Sequence, residues 1–161
     1  LTDGAIRRPP GLRLDLGGVA KGWTASRALE AVPGTACIDA GGDIALRGAW
    51  GVAVEHDGRP VAHLTLEDCG VATSGIDRRR WSDGHHIIDP STQRPAVTDV
   101  LAATVVASTT ASAEAIARTI VVLGAWDGLG WAESVDDVRG ALLTTSAGAT
   151  ISIARTKEVL G

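Results

Sequence analysis

Short strand patterns fill the middle of this chain, and helical patterns lie before and after them. Turns such as HDGRP and EDCG separate the apolar segments at hairpin spacing, which favours antiparallel pairing. The first helix shows an apolar stripe and ends at Pro33-Gly34. The predicted helices span residues 19–32, 112–123 and 126–133, and the predicted strands span residues 36–39, 44–47, 51–55, 61–66, 70–73 and 101–107, with a closing pair near the C-terminus.

Because the helices do not alternate with the strands, this order predicts an α+β fold. We expect a mixed, largely antiparallel sheet packed with two or three helices. The length of 161 residues suits one core of ordinary size, so residues 1–161 are predicted to form a single domain.

Composition and charge exclude several function classes. The formal net charge is −4 without a basic stripe, which argues against a nucleic-acid partner. No apolar run reaches the roughly 20 residues that cross a bilayer, and no signal peptide or lipobox is present. We therefore expect a soluble protein, with the cytoplasm as one open alternative for its compartment. The two cysteines lack C-x-x-C spacing, which argues against zinc and leaves a disulfide open, and Cys37 is predicted to be a buried thiol.

The segment DLGGVAKGWTASR is typical of a strand end, a glycine turn and a helix start. The preceding LRLD alternates like a short strand, and Gly17 and Gly18 allow a sharp bend. Free amides of the first helical turn, with Lys21 beside them, could hold a phosphate or a carboxylate. The alternative is a plain turn in which Asp15 caps the helix and Lys21 is solvated.

The segment GGDI has a second glycine pair directly after a predicted strand. Gly41 and Gly42 remove Cβ atoms where a ligand could approach, and Asp43 is placed to accept hydrogen bonds. A glycine hairpin with an Asx turn is the alternative interpretation.

Two later segments carry further polar candidates. VATSG presents the hydroxyls of Thr73 and Ser74 at a strand end before Gly75, a grouping suited to phosphate or ribose oxygens. HHIIDP combines an imidazole and a carboxylate, and a strand would place His86 and Asp89 on opposite faces. The histidine pKa suits proton transfer near neutrality.

These segments, in this order and followed by TVVASTTASAEAIARTIVVLG, resemble the ApbE-type FAD:protein FMN transferases. The resemblance implies FAD as donor, Mg²⁺ as cofactor, and transfer of FMN to a threonine of an acceptor flavoprotein with release of AMP. It implies catalytic roles for His86, Lys21 and Asp89. The flavin nucleotide contacts that it implies are Asp15, Gly17, Gly18, Lys21, Gly41, Gly42, Asp43, Thr73, Ser74, Gly75 and His86. That family usually has glycine where this chain has Gln93, so we expect a different turn there.

The metal ligands that the resemblance implies are only partly present. They fall on the backbone carbonyl of Ala20, on Glu114 in place of an aspartate, and on Arg118 in place of a threonine. Glutamate can bind magnesium, whereas a guanidinium has no lone pair to offer. Either magnesium still binds, or the Arg118 charge clamps the pyrophosphate directly. Glu114 and Arg118 could also form an ordinary i,i+4 ion pair.

Family members are usually much longer, so the resemblance implies the C-terminal portion of the family fold, with an N-terminal part missing. Unpaired sheet edges would then favour a homodimer. Trp23 and Trp81 are candidates for ring stacking, with core packing as the alternative. Three other functions stay open: a degenerate FAD-binding domain or FAD pyrophosphatase, an interaction domain, and a metal-dependent hydrolase using His85, His86 and Asp89.

Overall fold

The computed structural model describes residues 9–11, 13–77, 79–148 and 150–154. Its helices are α1 (Ala20–Ala31), α2 (Thr110–Leu123) and α3 (Ala125–Glu133). Its strands are β1 (Ala36–Asp39), β2 (Asp43–Arg47), β3 (Ala49–His56), β4 (Arg59–Glu67), β5 (Gly70–Gly75), β6 (Arg80–Trp81), β7 (Gly84–His85), β8 (Ile88–Asp89), β9 (Arg94–Pro95), β10 (Val100–Ala107), β11 (Val138–Thr145) and β12 (Thr150–Ala154).

The central element is a six-stranded sheet in the order β1-β2-β5-β10-β11-β12, in which every neighbouring pair is antiparallel. The predicted α+β class is confirmed. None of the helices among the described residues combines the length and the hydropathy that a membrane crossing needs.

Both faces of the sheet are covered, which explains why strand β10 is almost wholly apolar. Successive side chains of a strand point to opposite faces. Val105 accordingly belongs to the core shared with α2 and α3, and Val106 packs with Val52 and Leu64 of the β3–β4 hairpin. The molecule therefore has a helical layer, the sheet, and a hairpin layer.

Two glycines allow α2 to pack closely on its neighbours. A Cβ on Gly22 of α1 would lie 2.6 Å from the carbonyl oxygen of Thr110, and one on Gly70 of β5 would lie 2.0 Å from the amide nitrogen of Thr110. The N-terminus of α2 thus lies directly against α1 and β5. The hydroxyl of Thr109 caps α2 by accepting from the amide of Ser112, so this helix begins two residues earlier than predicted.

Two local predictions are wrong. Residues 13–16 form no strand and are exposed, while Leu12 lies outside the described residues. Asp15 does not cap α1, because its Oδ1 accepts from the amide of Gly17 (2.7 Å) and the N-cap residue is Val19. The alternating pattern of LRLD therefore reflects an irregular approach to the helix.

Cys37 is exposed, contrary to the prediction of a buried thiol. It lies on β1, an edge strand in which Ala36 faces the core and the next side chain faces outward. Cys69 is buried, and neither of these two cysteines is part of a disulfide in the described part of the chain. A short apolar strand does not reveal from sequence that it will end at a sheet edge.

Candidate functional site

A cleft of about 530 Å³ is lined by residues of α1, α2, β2, β3, β5 and β10. This volume lies within the range of small-molecule sites. Many of the predicted site residues line it, namely Gly17, Lys21, Gly41, Gly42, Asp43, Thr73, Ser74, Gly75, His86, Glu114 and Arg118. Asp15, Gly18, Ala20 and Asp89 are not among the lining residues.

Four charged side chains meet where α1, α2 and β2 converge. Asp43 is fully buried and forms an ion pair with Lys21, which remains about half exposed. Glu114, only 1% exposed, accepts a hydrogen bond from the amide of Gly22 (2.9 Å). Burial raises the pKa of Glu114, and the negative charge of Asp43 adds to this, against the opposing effects of the Gly22 hydrogen bond, Lys21 and Arg118. Asp43 Oδ1 and Glu114 Oε1 have no hydrogen-bond partner.

The glycine pair before Asp43 shapes the turn. Gly41 and Gly42 have φ values of +74° and +92°, which favour glycine, and a Cβ on either would meet open space. The carboxylate of Asp39 accepts from the amide of Gly42 (2.8 Å). The glycines are thus required by backbone conformation, as in the hairpin alternative, and they also form part of the cleft wall.

The start of α1 offers fewer free amides than predicted. The amides of Val19 and Ala20 donate to the carbonyl of Leu16, and that of Gly22 donates to Glu114. Positive charge in the cleft therefore comes mainly from side chains, above all Lys21 and Arg118.

The Arg118 side chain covers the Gly17–Gly18 turn. Its Nη2 donates to the carbonyl of Gly17 (3.1 Å), and a Cβ on Gly18 would lie 2.7 Å from its Nε. A side chain at position 18 would therefore require the Arg118 side chain to shift. The contact joins residues 101 positions apart in the chain, and no local sequence pattern could have predicted it.

The hydroxyls of two threonines lie together on the sheet. Thr73 of β5 and Thr104 of β10 are directly opposite each other, with their oxygens 2.9 Å apart. Thr104 was missed in the sequence, although it is the one polar residue in VLAATVVA.

His86 lies in the cleft, whereas the residues around it in HHIIDP do not. Its Nδ1 is buried without a hydrogen-bond partner. Burial lowers the pKa of His86, and the charges of Arg118 and Arg79 and the neighbouring His85 lower it further, against a hydrogen bond to the Arg79 backbone. The imidazole is thus favoured in its neutral form.

Asp89 and His85 have structural roles. Asp89 accepts from the amide and the hydroxyl of Ser91, at 2.8 and 2.7 Å, and so forms a turn away from the cleft. His85 is buried, its Nε2 donates to the carbonyl of Ala96 (2.9 Å), and its Nδ1 accepts from the amide of Ile87 (3.3 Å). The turn holds the Asp89 carboxylate outside the cleft, and its catalytic role stays a prediction.

The rest of the cleft wall was also missed. It includes part of β3, and at the cleft margin His56 Nδ1 lies 3.6 Å from Asp77 Oδ2. The alternation in VAVEH predicted a strand but not which layer it would join. Trp23 and Trp81 are exposed, at 59% and 51%, and neither lines the cleft.

The donor set does not fit a magnesium ion of the implied kind. Asp43 Oδ1 and Glu114 Oε1 are suitable oxygens, but Lys21 and Arg118 place two positive charges beside them. The carbonyl of Ala20 accepts from the hydroxyl of Thr24 (2.7 Å). Across the described ranges, no three His, Cys, Asp or Glu residues gather where they could hold a metal.

Comparison with known proteins identifies the family of the chain that forms this cleft. The family model described as the ApbE family matches residues 2–143. The chain belongs to the ApbE family. It is 34% identical to the FAD:protein FMN transferase of Treponema pallidum, covering 71% of this chain and 39% of that protein. It is 32% identical to the FAD:protein FMN transferase of Vibrio cholerae, covering 78% of this chain and 43% of that one.

Solved ApbE structures share the fold. The ApbE protein of Thermotoga maritima matches with a TM-score of 0.76 at 28% identity, over 88% of this chain and 52% of that chain. The flavin transferase ApbE of Vibrio cholerae matches with the same TM-score and identity, over 90% of this chain and 51% of that chain. The chain thus spans about half the length of the ApbE structures and about two fifths of these curated relatives.

Proposed function

We propose that this chain carries out the FMN-transfer step of an FAD:protein FMN transferase. The single observation that carries the proposal is the convergence of Lys21, Arg118 and His86 on one cleft in a chain of the ApbE family. The names of its relatives supply the reaction class. FAD is the donor, and a threonine of a flavoprotein subunit or domain is the acceptor.

The basic side chains suit a pyrophosphate. An ammonium has three donors, so the pairing of Lys21 with Asp43 leaves two for phosphate oxygens. Arg118 donates one N–H to the carbonyl of Gly17, and its remaining N–H groups can donate to the same pyrophosphate. Positive charge at this point stabilises the oxygens of the transferring phosphoryl group as charge builds on them.

His86 is the proposed proton acceptor. The threonine hydroxyl attacks the phosphorus bonded to the riboflavin portion of FAD, and its proton passes to the neutral imidazole. The bond from that phosphorus to the bridging oxygen breaks, and AMP leaves with that oxygen. FMN is then joined to the acceptor by a phosphoester bond. None of these steps passes through a metal ion.

The test is to incubate the purified 161-residue chain with FAD and an acceptor domain, and to measure AMP and protein-bound flavin fluorescence. We expect AMP and flavinylated acceptor in equal amounts. An acceptor whose target threonine is replaced by valine is the matched control and should give neither product.

Two outcomes contradict the proposal. Saturable FAD binding without AMP release, with or without divalent ions, would identify a flavin-binding domain that has lost the chemistry. Release of AMP together with free FMN, at the same rate with either acceptor, would identify an FAD pyrophosphatase that uses water in place of threonine.

A further inference from the structure

Arg118 occupies the space opposite the glycine turn at the start of α1. Its guanidinium donates to the carbonyl of Gly17, and its Nε would lie 2.7 Å from a Cβ on Gly18. Its Nε is buried and has no hydrogen-bond partner, so at least one buried donor still needs an acceptor. Arg118 also lines the cleft, so an anion bound there would lie beside this guanidinium.

The charges around this donor already balance. Asp43 and Glu114 supply two carboxylates, and Lys21 and Arg118 supply two cations. A divalent cation placed between the carboxylates would face both basic groups at close range, and repulsion in a partly buried cleft is strong. A pyrophosphate, by contrast, would meet two positive groups.

We propose that this chain binds the pyrophosphate of its dinucleotide without a divalent cation, with the Arg118 guanidinium serving in the place of a metal. The inference rests on the proposed function for the identity of the dinucleotide. Arginine suits this role because its planar fork of donors matches the geometry of phosphate oxygens and its charge does not depend on pH.

The test is a titration of the full chain with FAD, in which quenching of flavin fluorescence reports binding. It is done once in buffer with EDTA and once in buffer with Mg²⁺. The wild-type chain should give the same Kd in both. Arg118→Thr should weaken binding about tenfold or more in EDTA, the loss expected for a charge-assisted hydrogen bond. In Mg²⁺ this variant should recover much of its affinity, since two free carboxylate oxygens then face the cation without the guanidinium.

Two further variants separate charge from geometry and from folding. Arg118→Lys keeps the charge but loses the planar set of N–H donors. Its Kd for FAD should lie between those of wild type and Arg118→Thr. Arg139→Gln also removes one positive charge, but this side chain binds the carbonyl of Glu67 outside the cleft and its loss should leave the Kd unchanged. Circular dichroism melts would show whether each variant is folded at the titration temperature.

The outcomes distinguish this inference from the proposed function. If Mg²⁺ tightens wild-type FAD binding tenfold or more, the inference is overturned, and AMP release in the same buffer would leave the transferase standing. If binding is equal in EDTA and Mg²⁺ but no AMP forms with an acceptor, the inference stands and the transferase fails. An absence of FAD binding in both buffers overturns both.

Discussion

The two sides of the cleft are built differently. On the α1–α2 side, Lys21, Asp43 and Arg118 hold one another or the backbone, and Gly22 lets the helices touch. On the opposite side, His86 comes from a segment of two-residue strands, and its Nδ1 has no partner. Binding residues on the first side are also structural, whereas the imidazole on the second side has one hydrogen bond, to the Arg79 backbone, and leaves Nδ1 unpaired. Substitutions should therefore separate stability from activity on one side only.

The largest expected effect is that of His86→Ala on the chemical step. Removing a general base costs about 10²- to 10⁴-fold in kcat. Because Nδ1 makes no hydrogen bond and only the bond to the Arg79 backbone is lost, the free energy of unfolding should fall by no more than about 1 kcal/mol. Single-turnover AMP release and a thermal melt measure the two effects. A large loss of stability would show that the imidazole is structural after all.

The adjacent histidine provides the matched control. His85→Ala leaves the carbonyl of Ala96 and the amide of Ile87 without their partner, which should lower the free energy of unfolding by about 2 kcal/mol. Its kcat should change little at a temperature where the variant is folded. If His85→Ala and His86→Ala behave alike, the proposed division of roles is wrong.

The pH dependence of the rate tests the same division. The neutral form of His86 accepts the proton, so kcat/KM, which reports the ligand-free protein, should fall as the pH decreases through its pKa. That pKa lies below the ordinary 6.5 because of burial, with Arg118, Arg79 and His85 adding to the shift. The midpoint of the acid limb should therefore lie below pH 6.5. A rate that rises as the pH falls would assign His86 the role of an acid.

On the α1–α2 side, Gly22→Ala should lower the free energy of unfolding by about 3 kcal/mol. The new Cβ would lie 2.6 Å from backbone oxygen, which cannot rotate away as a side chain can. Gly130→Ala is the control, because this glycine is also helical and its Cβ would meet open space. That variant should gain up to about 1 kcal/mol from helix propensity. Urea unfolding measures both.

Lys21→Met should cost about 2 kcal/mol and abolish FAD binding. It leaves the fully buried Asp43 without its counter-ion, although the exposed half of Lys21 moderates the penalty. The double variant with Asp43→Asn should recover stability but not binding. Arg27→Met, which removes an exposed charge from the same helix, should change neither.

The same contrast explains how much could be predicted from the sequence. Periodicity and turn residues predict β1 with the observed bounds and α2 to within two residues, because burial of one helix face or strand face leaves a local pattern. The prediction that His86 belongs to a site came from its motif. The contact of Arg118 with the Gly17–Gly18 turn depends on how α2 packs against α1, and the role of Asp89 depends on which way one turn faces. Such tertiary relations leave no trace in the spacing of residues.

The smallest expected effect concerns the turn after the histidine segment. Gln93 keeps a positive φ of 58°, the left-handed region that favours glycine, and its amide donates to the carbonyl of Asp89 (2.8 Å). Gln93 therefore holds a strained conformation, and the difference from the family's turn stays a prediction. Gln93→Gly should raise the free energy of unfolding by about 1 kcal/mol, as relief of that strain outweighs the added freedom of the unfolded chain.

Thr92→Gly is the control for this last effect, since Thr92 is not among the described residues with positive φ. This substitution adds unfolded-state entropy and removes the acceptor of the Arg94 amide (3.4 Å), and both changes lower stability. Urea unfolding should show the two neighbouring glycine substitutions moving stability in opposite directions. Neither should alter kcat by more than about twofold, because the strain lies in a turn outside the cleft and His86 makes no described side-chain hydrogen bond to it. A gain in stability that comes with a loss of activity would instead show that the strained turn helps to hold His86 in place, and would join the two sides of the cleft into one structural unit.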